Sequence, residues 1–66
     1  MIHIGQEIRK ELGRQGKTSV WLAHELGCHR TNIYKIYEKS TIDTSVLVRI
    51  SRILNYDFFR LYSEDM

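Results

Sequence analysis

Apolar residues recur every three or four positions along most of the chain, and no stretch alternates with period two. Ile4, Ile8 and Leu12 are spaced by four, with charged Glu7, Arg9, Lys10 and Glu11 between them and Arg14 just beyond. This predicts a first helix over 4–15, with Gly16 just past its end. Thr18 is a suitable N-cap for a second helix over 19–26, in which Leu22 and Leu26 share a face. A third helix is expected over 30–37, with Ile33 and Ile36 on its buried side. Lys39, Ser40, Thr41 and Ile42 connect it to a fourth helix over 44–54, capped by Asp43. The apolar set of that helix (Val46, Leu47, Val48, Ile50, Ile53, Leu54) is wider than one core stripe needs. Asn55 suits a left-handed helix end. Asp57 is expected to cap a short fifth helix with Phe58, Leu61 and Tyr62 inward, and residues 63–66 are expected to fray. The pattern predicts an all-α fold of five short helices in one domain over 1–66, with its core within about 4–62.

Residues 19–38, SVWLAHELGCHRTNIYKIYE, are the most informative stretch. Ala23 lies four residues before Gly27, small enough to let two helices cross steeply. Gly27 and Cys28 make the turn between them, and a positive φ there strains residues other than glycine. Beyond the turn, Arg30, Thr31, Tyr34 and Lys35 lie off the Ile face. A helix that hides its Ile pair and presents a polar, basic face outward fits a DNA major groove.

Composition narrows the class. With 66 residues the chain has one small core, and a domain of that size buries only about 60% of its unfolded surface. The apolar fraction of 42% is that of a globular protein, and the absence of Pro favours helices. The one Cys cannot form an internal disulfide, so a reduced thiol is expected. No apolar run approaches the roughly 20 residues of a membrane span. MIHIGQEIRK lacks the apolar core of a signal peptide, so a cytoplasmic location is expected. The net charge of +2 is uneven: residues 1–40 carry seven Lys and Arg against four Asp and Glu, residues 41–66 three against four. The basic portion contains the helix-turn-helix, which suits a phosphate-facing side.

The spacing Leu22-Ala23, Leu26-Gly27, Ile33 and Ile36 is followed by Ile53-Leu54-Asn55 and Tyr56-Asp57-Phe58. Over about residues 4–62 the chain therefore resembles the phage-repressor-like (Xre/Cro-type) helix-turn-helix family. The resemblance implies a compact five-helix lambda-repressor-like domain. It also implies double-stranded DNA as partner, bound by a homodimer on a two-fold operator. The family's groove-reading positions fall on Arg30, Thr31, Tyr34 and Lys35. Where members often have a Gln that contacts a phosphate and braces the reading helix, this chain has Ser19, a shorter brace. Where many pair an Arg of helix 1 with a Glu near the end of helix 3, it has Leu12 and Tyr37, so an apolar contact is expected in place of an ion pair. Where members often end helix 3 with Gly, it has Lys39.

The individual residues carry alternatives. Arg30 can bond guanine O6 and N7 together, or contact a phosphate, or lie free. Lys35 can meet a base edge or a phosphate, and Thr31 a base or a thymine methyl. Tyr34 can lie on a sugar or serve as half-buried packing. Thr18, Ser19, His29, Asn32 and Lys39 are the expected phosphate contacts, with a plain surface residue the alternative for His29. Cys28 reads as a small apolar residue of the turn, and Trp21 as cover for the edge of helix 1 or part of a partner surface. Phe59 is expected to point outward beside Val46, Val48 and Ile53 and to form a two-fold interface; the alternative is that it turns inward. His3, His24, His29 and Cys28 lack metal-ligand spacing, and neither a cofactor motif nor a catalytic set is visible, so no enzyme is expected. A DNA-binding regulator of transcription is the first reading. The rival is a protein-interaction module, such as the DNA-binding antitoxin of a toxin–antitoxin pair or an adaptor to polymerase.

Overall fold

A computed structural model describes residues 1–66 and contains five helices: α1 (Ile4–Arg14), α2 (Ser19–Leu26), α3 (Arg30–Glu38), α4 (Thr44–Leu54) and α5 (Phe59–Asp65). Their ends follow from local chemistry. Thr18 accepts the Trp21 amide at 3.0 Å and so caps α2. Gly27 ends α2 with φ 71°, and its amide and that of Cys28 turn back to His24 O and Ala23 O. Asn55 ends α4 in the same left-handed way, at φ 51°. Gly16 likewise follows α1, which stops at Arg14 with Gln15 as its C-cap, one residue short of the sequence expectation.

Other ends differ from expectation. Asp43 stands at the N-cap of α4, but its carboxylate makes no capping hydrogen bond. Asp57 Oδ1 does accept the Phe59 amide at 3.0 Å, while Phe58 occupies the N-cap position of α5. Helix α5 continues to Asp65, so residues 63–65, expected to fray, are helical. α3 runs one residue longer than expected, to Glu38.

The core draws on every helix but α5: Ile4, Ile8 and Leu12, then Leu22, Ala23 and Leu26, then Ile33 and Tyr37, then Leu47, Ile50 and Leu54, closed by Phe58. Each fully buried Ile, Leu or Phe stabilises the fold by about 1.5–3 kcal/mol relative to exposure. Helix α3 lies against both α1 and α2, and α4 packs on α2. The second anchor of α3 is Tyr37, not Ile36, which is only half-buried.

Three groups of polar contacts fix the helices. At the start of α1, the Ile4 and Gly5 amides donate to Ser40 O and Lys39 O at 3.1 and 2.9 Å, and Gln6 Nε2 donates to Tyr37 O at 2.9 Å. The free amides of one helix start thus satisfy the free carbonyls beyond another helix end. The approach is close because residue 5 has no Cβ. This also accounts for Lys39, where a Gly was expected: its backbone is extended and its carbonyl is taken by Gly5. Second, Arg49 donates to Leu26 O at 3.0 Å, tying α4 to the end of α2. Third, Gln15 Nε2 donates to Leu54 O at 2.8 Å and to Glu11 Oε2 at 2.7 Å. Glu11 is buried and is also gripped by the Arg14 guanidinium. The Arg14 hydrogen bonds, aided by Gln15, hold the Glu11 carboxyl below the ordinary glutamate range against the opposing effect of burial. No helix is long and apolar enough to cross a membrane.

Candidate nucleic-acid interface

Burial of Ile33 and Tyr37 decides what α3 offers outward. Arg30, Thr31, Asn32, Tyr34 and Lys35 are all exposed. Side-chain ion pairs join only Arg14 to Glu11, His24 to Glu25 and Arg60 to Glu64, so the charges of Arg30, Lys35 and Lys39 are uncompensated by any direct carboxylate partner. Asn32, Lys35 and Lys39 share a surface groove of about 450 Å³ with Ile42, Asp43 and Val46. It runs between α3 and the start of α4.

His29 is the N-cap of α3. Its Nδ1 accepts the Thr31 amide at 3.2 Å and lies 3.0 Å from the Thr31 hydroxyl. That nitrogen is committed to the helix start, and only Nε2 remains for an outside partner. Thr18 is exposed, with its oxygen accepting the Trp21 amide and its proton still free to donate.

Ser19 is more tightly held than its short side chain suggests. Its hydroxyl is 2.8 Å from the Tyr37 hydroxyl, so the first residue of α2 is joined to the last turn of α3. Leu12 and Tyr37 are both buried, as expected of an apolar replacement for an ion pair, but Tyr37 keeps a polar bond. That bond is made to Ser19 and not to Leu12. Two further contacts escaped sequence reasoning: the Arg9 guanidinium lies 5.8 Å from the centre of the Tyr37 ring, and Lys17 Nζ lies 4.9 Å from that of Trp21. The second pair is adjacent in pattern, a Lys four residues before a Trp, and could have been noticed. The first needed the fold.

The expected partner surface is rearranged. Phe59 is half-buried, packed on the core while still lining surface grooves, whereas Tyr62, expected inward, is exposed. Phe58, just before α5, is the residue of this segment that is wholly buried. Val46 faces the Lys35–Lys39 groove, Val48 and Phe59 share another groove, and Ile53 packs on the core. The four residues do not form one patch. Instead Ile42, Leu47, Phe59 and Tyr62, with Thr41 and Thr44, line an apolar groove of about 330 Å³. Cys28 is a free, half-buried thiol against the core, and Trp21 is likewise half-buried there.

Comparison of the chain with protein-family models, with curated proteins and with solved structures finds no match.

Proposed function

We propose that the protein is a sequence-specific double-stranded DNA-binding regulator of transcription, of the lambda-repressor-like Xre type, that acts without catalysis in the cytoplasm. One observation carries the reading: α3 buries Ile33 and Tyr37 while Arg30, Thr31, Tyr34 and Lys35 all stay exposed, none with an ion-paired carboxylate. In the major groove, Arg30 at the helix start pairs with guanine O6 and N7, and Lys35, one turn beyond Thr31, reaches a base edge or phosphate. Thr31 and Tyr34 make closer apolar or hydroxyl contacts. Thr18, Ser19, His29, Asn32 and Lys39 hold the backbone, which fixes register. Two copies related by a two-fold axis would read half-sites about 34 Å apart.

The test is selection of bound sequences from random duplexes, with wild type and with R30E/K35E. Wild type is expected to recover a symmetric site. Loss of a bidentate Arg at its base costs about 1–3 kcal/mol, and reversal of both charges should exceed that and abolish selection. Unchanged binding by a folded R30E/K35E would remove α3 as the reader.

A second reading is favoured by the apolar groove of Ile42, Leu47, Phe59 and Tyr62. On it, the protein's main partner is another protein, as for an antitoxin or a polymerase adaptor. It predicts a stable complex that survives R30E/K35E and is lost when Phe59 and Tyr62 are made polar.

A further inference from the structure

Two cations near the start of α2 are mounted on aromatic rings. Arg9, on α1, has its guanidinium 5.8 Å from the Tyr37 ring centre. Lys17, one residue before the Thr18 cap, has Nζ 4.9 Å from the Trp21 ring centre. The Tyr37 hydroxyl is 2.8 Å from that of Ser19, so this ring abuts the first residue of α2. Trp21 lies in the same first turn, its amide bonded to Thr18. The two rings thus bracket one helical turn, each with a cation on its face. Both cations are exposed, and neither is within ion-pair distance of a carboxylate.

We propose that Arg9, Lys17 and Ser19 form a phosphate clamp beside the DNA-reading helix, with Tyr37 and Trp21 as the positioning residues that hold its cations. The proposal rests on the DNA-binding reading above. A guanidinium laid over a ring keeps its N–H edge free for phosphate oxygens. An ammonium over a ring likewise keeps donors pointing outward. Each ring removes much of the rotamer freedom of a long side chain before DNA arrives, so less entropy is lost on contact. Tyr37 serves twice: its ring holds Arg9 and its hydroxyl orients Ser19.

Phosphate contacts by cations have a signature that folding defects lack. Each neutralised phosphate adds about 0.9 to the slope of log affinity against log salt. The experiment is a salt series, about 50 to 200 mM, on a fluorescent 30-base-pair duplex of random sequence with the full chain. R9Q and K17Q are each expected to lower the slope by about 0.9, so that their affinity deficit shrinks about 3.5-fold across that range. Trp21→Leu should lower it as K17Q does, and Trp21→Phe, which restores a ring, should recover most of the loss. R52Q, an exposed cation on α4, should leave the slope unchanged. A full slope in both R9Q and K17Q, while R30E/K35E still abolishes binding, would overturn the clamp and spare the reading of α3. A Trp21→Leu protein that loses melting temperature but keeps the wild-type slope would make Trp21 structural and overturn its positioning role. A folded wild type that binds no duplex at any salt would overturn both proposals together.

Discussion

Gly5 offers the sharpest test of how the helices are joined. A Cβ there would stand 2.2 Å from Ile36 O, 2.5 Å from Tyr37 O and 2.7 Å from Lys39 O. Carbon and carbonyl oxygen need about 3.3 Å, so Gly5→Ala forces the start of α1 about 1 Å away from the end of α3. None of the three atoms can swing aside, because all are backbone. The hydrogen bonds from the Gly5 amide, the Ile4 amide and Gln6 Nε2 are stretched beyond use together. At about 1 kcal/mol each, their loss is about 3 kcal/mol, and Ile4, wholly buried, is partly unpacked as well. The better helix propensity of Ala offsets at most about 1 kcal/mol. The expected net destabilisation is about 2–4 kcal/mol, a large part of the roughly 3–10 kcal/mol available to a chain of this length. In a domain this small that lowers the melting temperature by about 10–30 °C. Urea and thermal unfolding followed by circular dichroism measure it. Gly13→Ala is the internal control, in the same helix, where a Cβ meets nothing within 4 Å. It should stabilise by about 0.5–1 kcal/mol. Two alanines in one helix with opposite signs is the expected result. A Gly5→Ala protein as stable as wild type would refute the close junction of α1 with α3.

Further measurements probe other parts of the fold. Ser51 Oγ is buried without a hydrogen-bond partner, so Ser51→Ala should stabilise by about 0.5–1 kcal/mol in urea unfolding, and a loss of that size would reveal a partner for the hydroxyl. The carboxyl of Glu11 is depressed chiefly by Arg14. Its contribution is therefore complete above the ordinary glutamate value of about 4.3 and is lost as pH falls through its own lower value. Acid titration of Glu11→Gln should show a shallower fall in stability below that point, and a curve parallel to wild type would contradict the assignment. Arg49→Met keeps the aliphatic stem but removes the donor to Leu26 O, so it should cost about 1–2 kcal/mol with unchanged helix content by circular dichroism. The one Trp of the chain sits beneath Lys17, so duplex DNA should change its emission in wild type and much less in K17Q.

What could be read from the residues alone was whatever is settled within one turn of helix. Gly27, Asn55 and Thr18 act on neighbours three to five positions away, and their roles were legible. Asp43 shows the limit, since a good capping residue in the right place still makes no cap bond. Gly5 was opaque because the reason for it lies more than 30 residues along the chain, at Ile36 to Lys39. Glu11 looked solvated amid charged neighbours, and only the arrival of Gln15 and Leu54 makes its burial intelligible. The candidate interface depends on the subtlest of these distinctions. Ile36 and Tyr37 are both admissible partners for Ile33 on a helix that turns about 100° per residue. Burial of Tyr37 rotates the hidden stripe by about 50° relative to an Ile33–Ile36 stripe. The pole opposite the new stripe falls on Lys35, flanked by Thr31 and Asn32. Arg30 lies nearer the buried side and is exposed because it is the first residue of α3, with no preceding turn to cover it. Lys35 therefore points most directly away from the core, whereas Arg30 reaches forward from the helix start. Two cations five residues apart thus leave one short helix in different directions, and on the DNA-binding reading they would meet different base pairs.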